Sequence, residues 1–370
     1  MALFDVVFEG GGAKGSAFVG ALRALESRGH ETRRLVGTSA GAITATLLAA
    51  GYTPDEMLAA VNERLGNKPR FASFMDEPLA DQFDEPVRRN SHTMHVLEEA
   101  PLTVPDVVKR GLLKGLFQVP LYPQLFCFVE CGGIFAGVAF EKWLEEKLAV
   151  KGVDATDTFR SMFDKKHRDL TLVASDTTDM EMRFLNHRTA PDVPVIYAVR
   201  MSMSIPFVWR EVVWRGEWGR YRDRDMTGHT IVDGGVLSNF PISLIADRVP
   251  DLMGDTDPAG ALNLGLLLDE NAPVPGVPAD PPKRVHQLKV VQRVSRLVDT
   301  MTGARDNEDM RRHARAICRL PVKGYGTTEF DMAEAKLKAL VDCGFATMAA
   351  HLDERPDVPR PAQVPSPGSA

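Results

Sequence analysis

Two glycine-framed turns near the start of the chain limit its possible folds more than any other feature. Gly10-Gly11-Gly12-Ala13-Lys14-Gly15 follows a short apolar run, Leu3 to Phe8. Gly37-Thr38-Ser39-Ala40-Gly41 follows a second run around Leu35-Val36. Between them Ala17, Val19, Leu22 and Leu25 recur at helical spacing, and Gly29 suits a helix stop. The order is strand, glycine turn, helix, strand, serine turn, helix. A crossover of this kind makes the two strands parallel and brings both turns to one sheet edge. A hydroxyl then lies beside a row of backbone N–H groups. Acyl transfer needs that pair: a nucleophile for the carbonyl, and donors for the oxyanion that forms.

Gly37-x-Ser39-x-Gly41 has the form of a nucleophile elbow, in which the serine sits on a sharp strand-to-helix turn with its hydroxyl exposed. Ala42, Ile43, Ala45, Leu47, Leu48 and Ala49 then read as a buried helix ended by Gly51. The N-terminal dipole of that helix helps stabilise negative charge at Ser39. Gly10, Gly12 and Gly15 also fit a dinucleotide fingerprint, which wants an acid at the end of the second strand. That strand ends in Val36-Gly37-Thr38-Ser39 instead. A phosphate-binding loop would need Gly-Lys-Ser/Thr in order, whereas Lys14 precedes Gly15. An oxyanion hole at Gly10, Gly11 and Gly12 fits better. The alternative is a glycine turn required only for close packing. Lys14 either adds positive charge near the site or caps a sheet edge.

The base is sought downstream. His187, His229, His286, His313 and His351 are candidates, but none has a motif around it. One acid does. Thr230-Ile231-Val232-Asp233-Gly234-Gly235-Val236 is a short apolar strand ending in Asp-Gly-Gly, where the glycines allow a sharp turn and leave the carboxylate at the strand end.

With these residues in place, the chain resembles the patatin-like phospholipases, lipid acyl hydrolases with a Ser/Asp dyad and no histidine. Gly10 to Gly15 resembles their oxyanion signature and Gly37 to Gly41 their elbow. Asp233-Gly234-Gly235 with Asn239-Phe240-Pro241 resembles the aspartate block. Leu172 to Asp176 is similar to the family's central strand, Ala198 to Phe207 to its small-residue helix, and Gly324 to Asp331 to a late loop of bacterial members. The likeness runs from about Phe4 to Leu352. The stretch Trp214 to Gly228 departs from it and reads as an inserted hairpin or a surface loop.

The resemblance implies a three-layer α/β/α fold with a central, mostly parallel sheet. It also implies a reaction in which Asp233 takes the Ser39 proton while the Gly11 and Gly12 amides hold the oxyanion. Lys14, Gly37, Gly41, Gly234 and Gly235 support that site, with no metal and no cofactor. An aspartate of ordinary pKa, about 3.9, is a weak base. Burial would raise that value toward its task.

Composition narrows the surroundings. A net charge of −6 argues against nucleic acid as a partner. Cys127, Cys131, Cys318 and Cys343 are sparse and complete no metal site, so free thiols in a reducing cytoplasm are expected. Residues 3 to 8 read as the first strand rather than a signal peptide. No apolar run approaches the roughly 18 residues of a spanning helix.

One catalytic domain is expected over 1–352, with a disordered Pro- and Ser-rich tail at 353–370. Residues 286–317 read as an amphipathic helix on the sheet. Residues 104–140, apolar and broken by Gly and Pro, read either as a lid that contacts a membrane peripherally or as a wall of the pocket. The function expected is hydrolysis of phospholipid or other acyl esters. The rivals are a general carboxylesterase, a Ser-His-Asp hydrolase, and a phosphate- or lipid-binding protein without chemistry.

Overall fold

The computed structural model describes the chain except residues 84, 100–107, 109–110, 113–114, 120, 248, 255–259, 279–305, 328, 330 and 360–370. Strand β1 (Leu3–Phe8), helix α1 (Ala17–Ser27), strand β2 (Glu31–Thr38) and helix α2 (Ala40–Ala50) follow the expected order. They lead to α3 (Val138–Val150), β3 (Asp169–Asp176), β4 (Glu181–Leu185) and α4 (Val195–Ser202). The chain continues through β5 (Val212–Val213), β6 (Thr230–Asp233), β7 (Leu262–Pro273), β8 (Ile317–Lys323) and α5 (Glu334–Glu354).

The eight strands form one sheet whose body runs β8-β7-β1-β2-β3-β4. The neighbours from β8 to β3 pair in parallel, and β4 is antiparallel to β3. Successive side chains of a strand point to opposite faces, and the core divides accordingly. Phe4, Val6 and Phe8 join the large apolar cluster that includes Phe18 and Leu22 of α1 and Leu340 and Met348 of α5. Val7, Val36, Val173 and Leu267 face the other way, onto Phe240, Ile242, Leu244 and Ile245. Two apolar layers on one sheet give the expected three-layer α/β architecture.

The register of β3 positions the site. β4 covers β3 along Leu172–Asp176. On the opposite edge, β2 pairs with Asp169–Val173 and stops where Thr38 faces Val173. The next residue, Ala174, faces Asp233, the last residue of antiparallel β6. β2 and β6 therefore meet end to end on one edge of β3, and the turns that follow Thr38 and Asp233 converge there.

Several peripheral expectations are refined. The stretch from Trp214 to Gly228 contains a hairpin, Arg220–Tyr221 against Arg224–Asp225. It is anchored rather than loose, because Trp214, Trp218, Tyr221 and Met226 are buried. Residues 83–127 hold a small core of their own made of Phe83, Met94, Phe117, Phe126 and Cys127. The amphipathic helix expected at 286–317 falls largely outside the described residues, as does 360–370 of the tail. Residues 353–359 are described: Val358 is buried, and Arg355 donates to the Asn263 carbonyl at 2.8 Å, while most of the segment is exposed.

Candidate active site

Ser39 occupies φ 53°, ψ −118°, a conformation that an L-residue adopts only when its surroundings enforce it. The flanking glycines explain how. A Cβ on Gly37 would lie 2.3 Å from the Gly41 carbonyl oxygen, and one on Gly41 would lie 2.2 Å from that of Phe8. The turn is too tight for side chains at either position. Its open backbone ends are joined by Ser202, which accepts from the Ser39 N–H at 3.1 Å and donates to the Val173 carbonyl at 2.6 Å. Ser202 thus bridges the point where the ladder between β2 and β3 stops.

Asp233 enters from the facing strand end. Its N–H donates to the Ser204 carbonyl at 2.9 Å, which ties it to the segment that follows α4. Oδ1 accepts from the Gly235 N–H at 2.7 Å, while the buried Oδ2 has no hydrogen bond of normal geometry. Burial pushes its pKa up to about 7, offset only in part by the Ser39 hydroxyl and the Gly235 N–H. A carboxyl group titrating near neutrality can take up and release a proton under ordinary conditions.

The glycine turn divides its amides by use. The Gly10 N–H donates to the Asn239 carbonyl at 3.2 Å, and the Ala13 N–H donates to the Thr327 carbonyl at 2.8 Å. Among the described residues, the intervening Gly11 and Gly12 N–H groups find no backbone partner. Two anchored amides therefore flank two that have no backbone partner. Gly12 has φ +57°, and a Cβ there would meet the Thr327 carbonyl oxygen at 2.1 Å. The single turn of 3-10 helix Gly12–Ser16 runs into α1, so α1 and α2 both begin near Ser39, and their dipoles favour negative charge there.

A cavity of about 280 Å³ brings together Gly10, Gly11, Gly12, Lys14, Ser39, Asp233 and Gly235. Gly37, Gly41 and Gly234 shape the backbone around it: a Cβ on Gly234 would lie 2.4 Å from the Val173 carbonyl oxygen. Lys14 is buried and paired with Glu270, so its charge is already matched. Ser39 also borders a second, mainly apolar cavity of about 280 Å³ that extends along α2.

Three groups escaped the sequence reading as site residues. Glu9 lines the cavity that holds Ser39 and Asp233; its Oε2 accepts from the Leu268 N–H at 2.5 Å and its Oε1 from Asn239 Nδ2 at 3.3 Å. Desolvation raises its pKa to about 8. Asn239 also donates to the Gly10 carbonyl at 2.9 Å, clamping the glycine turn to the aspartate block. Asp306 in turn accepts from the Asn239 and Phe240 N–H groups at 2.8 and 2.9 Å and from the Ser238 hydroxyl at 2.7 Å. Glu9 carried one signal, an acid between a buried strand and a glycine turn; Asp306 carried none.

The described histidines lie elsewhere. His229 contacts Asp176 at 3.0 Å, His313 contacts Asp247 at 3.0 Å, and His187 stacks on Phe163. Burial pushes the His351 pKa down to about 4. His286 lies outside the described residues. Asp176, Asp179 and His229 cluster closely enough to suggest a metal site, but Arg183 and Arg224 already pair with the carboxylates. Cys127, Cys131, Cys318 and Cys343 are free thiols.

The family model described as Patatin-like phospholipase matches residues 6–246. YqhO of Bacillus subtilis, described as uncharacterized, is 31% identical over 351 residues, covering 92% of this chain and 94% of its own. A protein of Invertebrate iridescent virus 6 described as a probable lipid hydrolase is 23% identical, and the match covers 65% of this chain and 62% of the viral one. Among solved structures, VipD from Legionella pneumophila overlays with a TM-score of 0.45 at 16% identity, over 94% of this chain and 66% of its own. The type III effector ExoU overlays at 0.38 and 16%, over 94% and 52%.

Proposed function

The chain belongs to the patatin-like phospholipase family, and we propose that it hydrolyses fatty acyl esters of lipids through Ser39 and Asp233. The observation that carries this reading is the end-to-end meeting of β2 and β6. It sets the elbow serine against a buried carboxylate whose Oδ2 has no well-formed hydrogen bond, beside two unused amides. Ser39 Oγ attacks the ester carbonyl, its proton passes to Asp233, and the oxyanion is held by the Gly11 and Gly12 N–H groups. Collapse of that intermediate returns the proton to the departing alcohol and leaves an acyl-enzyme. Water then attacks with Asp233 again as base, and the fatty acid leaves. Phospholipase A or lysophospholipase activity is the leading form, with general carboxylesterase activity next.

The helix Tyr122–Cys131 supports a lipid interface. Leu121, Leu125 and Val129 recur at four-residue spacing and are 73%, 60% and 54% exposed, while Phe126 and Cys127 on the same helix are buried. An apolar stripe of this kind suits peripheral contact with lipid. Among the described residues, no helix is long and apolar enough to cross a membrane.

A fluorophosphonate probe tests the nucleophile. It should label the protein at Ser39 and fail on Ser39→Ala. The same variant should lose turnover of phospholipids, lysophospholipids and p-nitrophenyl esters. Retention of more than a few per cent of wild-type turnover by purified Ser39→Ala removes the assignment.

A further inference from the structure

We infer that the apolar cavity beside Ser39 measures acyl chains and favours a single chain of about ten carbons. The inference rests on the reading of Ser39 as nucleophile and adds a substrate class to it. The lining carries the dimension. Ser39, Ile43 and Leu47 lie on successive turns of α2, and all three border the cavity. Eight residues at a rise of 1.5 Å give about 12 Å along the helix. An extended hydrocarbon advances about 1.3 Å per carbon, the projection of a roughly 1.5 Å single bond on the zigzag axis. A chain whose carbonyl sits at Ser39 therefore reaches Leu47 after nine or ten carbons.

Leu47 is the last residue of α2 that borders the cavity. Leu47 and Met57 are buried, and Val61 is half-buried. The same lining also includes Asn62 and Arg64, both exposed, with Arg64 donating to the Asn67 carbonyl at 2.5 Å. Carbons up to Leu47 leave water, whereas carbons past it find no further wall on α2. Phe74, Phe140 and Trp143 pack edge to face or tilted beside the cavity and limit its width. A volume of about 280 Å³ falls at the lower end for small-molecule sites, room for one chain rather than two.

The test is a chain-length series. Saturated p-nitrophenyl esters from four to sixteen carbons are kept below their aggregation thresholds, and kcat/KM is read for each. The expected profile climbs about fourfold per added carbon, the fold-change that burial of one methylene supports. It then levels off or falls near ten carbons. Ile43→Trp blocks the cavity one turn from Ser39, and Leu47→Trp blocks it two turns away. The ratio of decanoyl to butyryl kcat/KM should drop at least tenfold in Ile43→Trp and by less in Leu47→Trp.

Folding of each variant is checked by its melting curve. Ile43→Phe, a smaller change, replaces either variant that fails to fold. Calorimetric titration of saturated fatty acids of the same lengths against Ser39→Ala reads the cavity without catalysis, and affinity should stop rising near ten carbons. A binding or kinetic profile that is flat, or that keeps rising to sixteen carbons, overturns the inference, as does an unchanged ratio in a folded Ile43→Trp or its Ile43→Phe replacement. Loss of hydrolysis and probe labelling for every ester would instead overturn the nucleophile, leaving the binding profile to decide the cavity.

Discussion

Two aspartates on adjoining strands differ in almost everything except burial. Asp233 ends β6 and is 4% exposed; Asp176 ends β3 and is 1% exposed. Burial alone pushes both carboxyl pKa values up. At Asp233 that push prevails, and the value rises to about 7. At Asp176 the same push is overcome by His229, by the Arg183 guanidinium and by the Asp179 N–H, so its pKa falls below the usual carboxylate range. What separates a candidate base from a structural anion here is the supply of partners. Asp176 Oδ2 is surrounded by donors, whereas Asp233 Oδ2 has no hydrogen bond of normal geometry.

The sharpest way to break this comparison is to neutralise each carboxylate. Asp233→Asn should lower kcat by about 10²–10⁴-fold, the range that a lost general base commonly accounts for. Asp176→Asn should leave kcat per folded molecule within a few-fold of wild type. If the two variants exchange these outcomes, the base has been misassigned and the His229–Asp176 pair becomes the candidate.

Stability should show the reverse pattern. Asp176→Asn removes a partner of the buried Arg183 and should cost on the order of 3 kcal/mol in denaturant unfolding at pH 7. Asp233→Asn should raise stability at pH 8 by a few kcal/mol at most. The sign follows from the direction of each shift. The Asp233 carboxyl titrates at about 7 when folded against an ordinary 3.8, so folding takes up a proton between those values. Its contribution therefore worsens as pH rises from about 4 to 7 and stays at full strength above. The Asp176 shift is downward, so its contribution is present above about 3.8 and is lost as pH falls through its lowered folded value. Equal stability changes in the two variants across this range would remove the distinction.

The same contrast predicts a pH profile. With Asp233 as base, kcat/KM should fall tenfold per unit as pH drops below about 7, because only the ionised carboxylate accepts the serine proton. A profile flat from pH 5 to 8 would remove Asp233 as a base titrating near 7.

The smallest expected effect concerns the distant helix. Replacing Leu121, Leu125 and Val129 by serine should weaken turnover on phospholipid vesicles severalfold while changing soluble short-chain esters less. Equal losses on both substrates would assign the stripe to the catalytic body.

Much of the molecule was open to reading before any coordinates. The family and the mixed α/β architecture follow from local signals: apolar runs of strand length, helical spacing between them, and glycines where the chain must turn sharply. Ser39 and Asp233 stand out as candidates for the same reason, since each sits in a short backbone pattern that steric limits make recognisable. The roles of residues 104–140 were harder to assign, because apolar content does not say which side of a helix faces water. The structure separates buried Phe117, Phe126 and Cys127 from exposed Leu112, Leu121, Leu125 and Val129, while Leu113 lies outside the described residues.

What the sequence determined by itself is the set of turns and the residues on them, because φ/ψ limits act over a few neighbours. Tertiary structure alone decided which of those turns meet, since the strand ends that carry Ser39 and Asp233 are brought together by the register of a third strand. It likewise decided that Glu9 is half-buried beside Asn239, that Asp306 holds the aspartate block, and that His229 is engaged with Asp176. Desolvation and the count of nearby donors set a carboxylate's charge, and both depend on residues tens to hundreds of positions away.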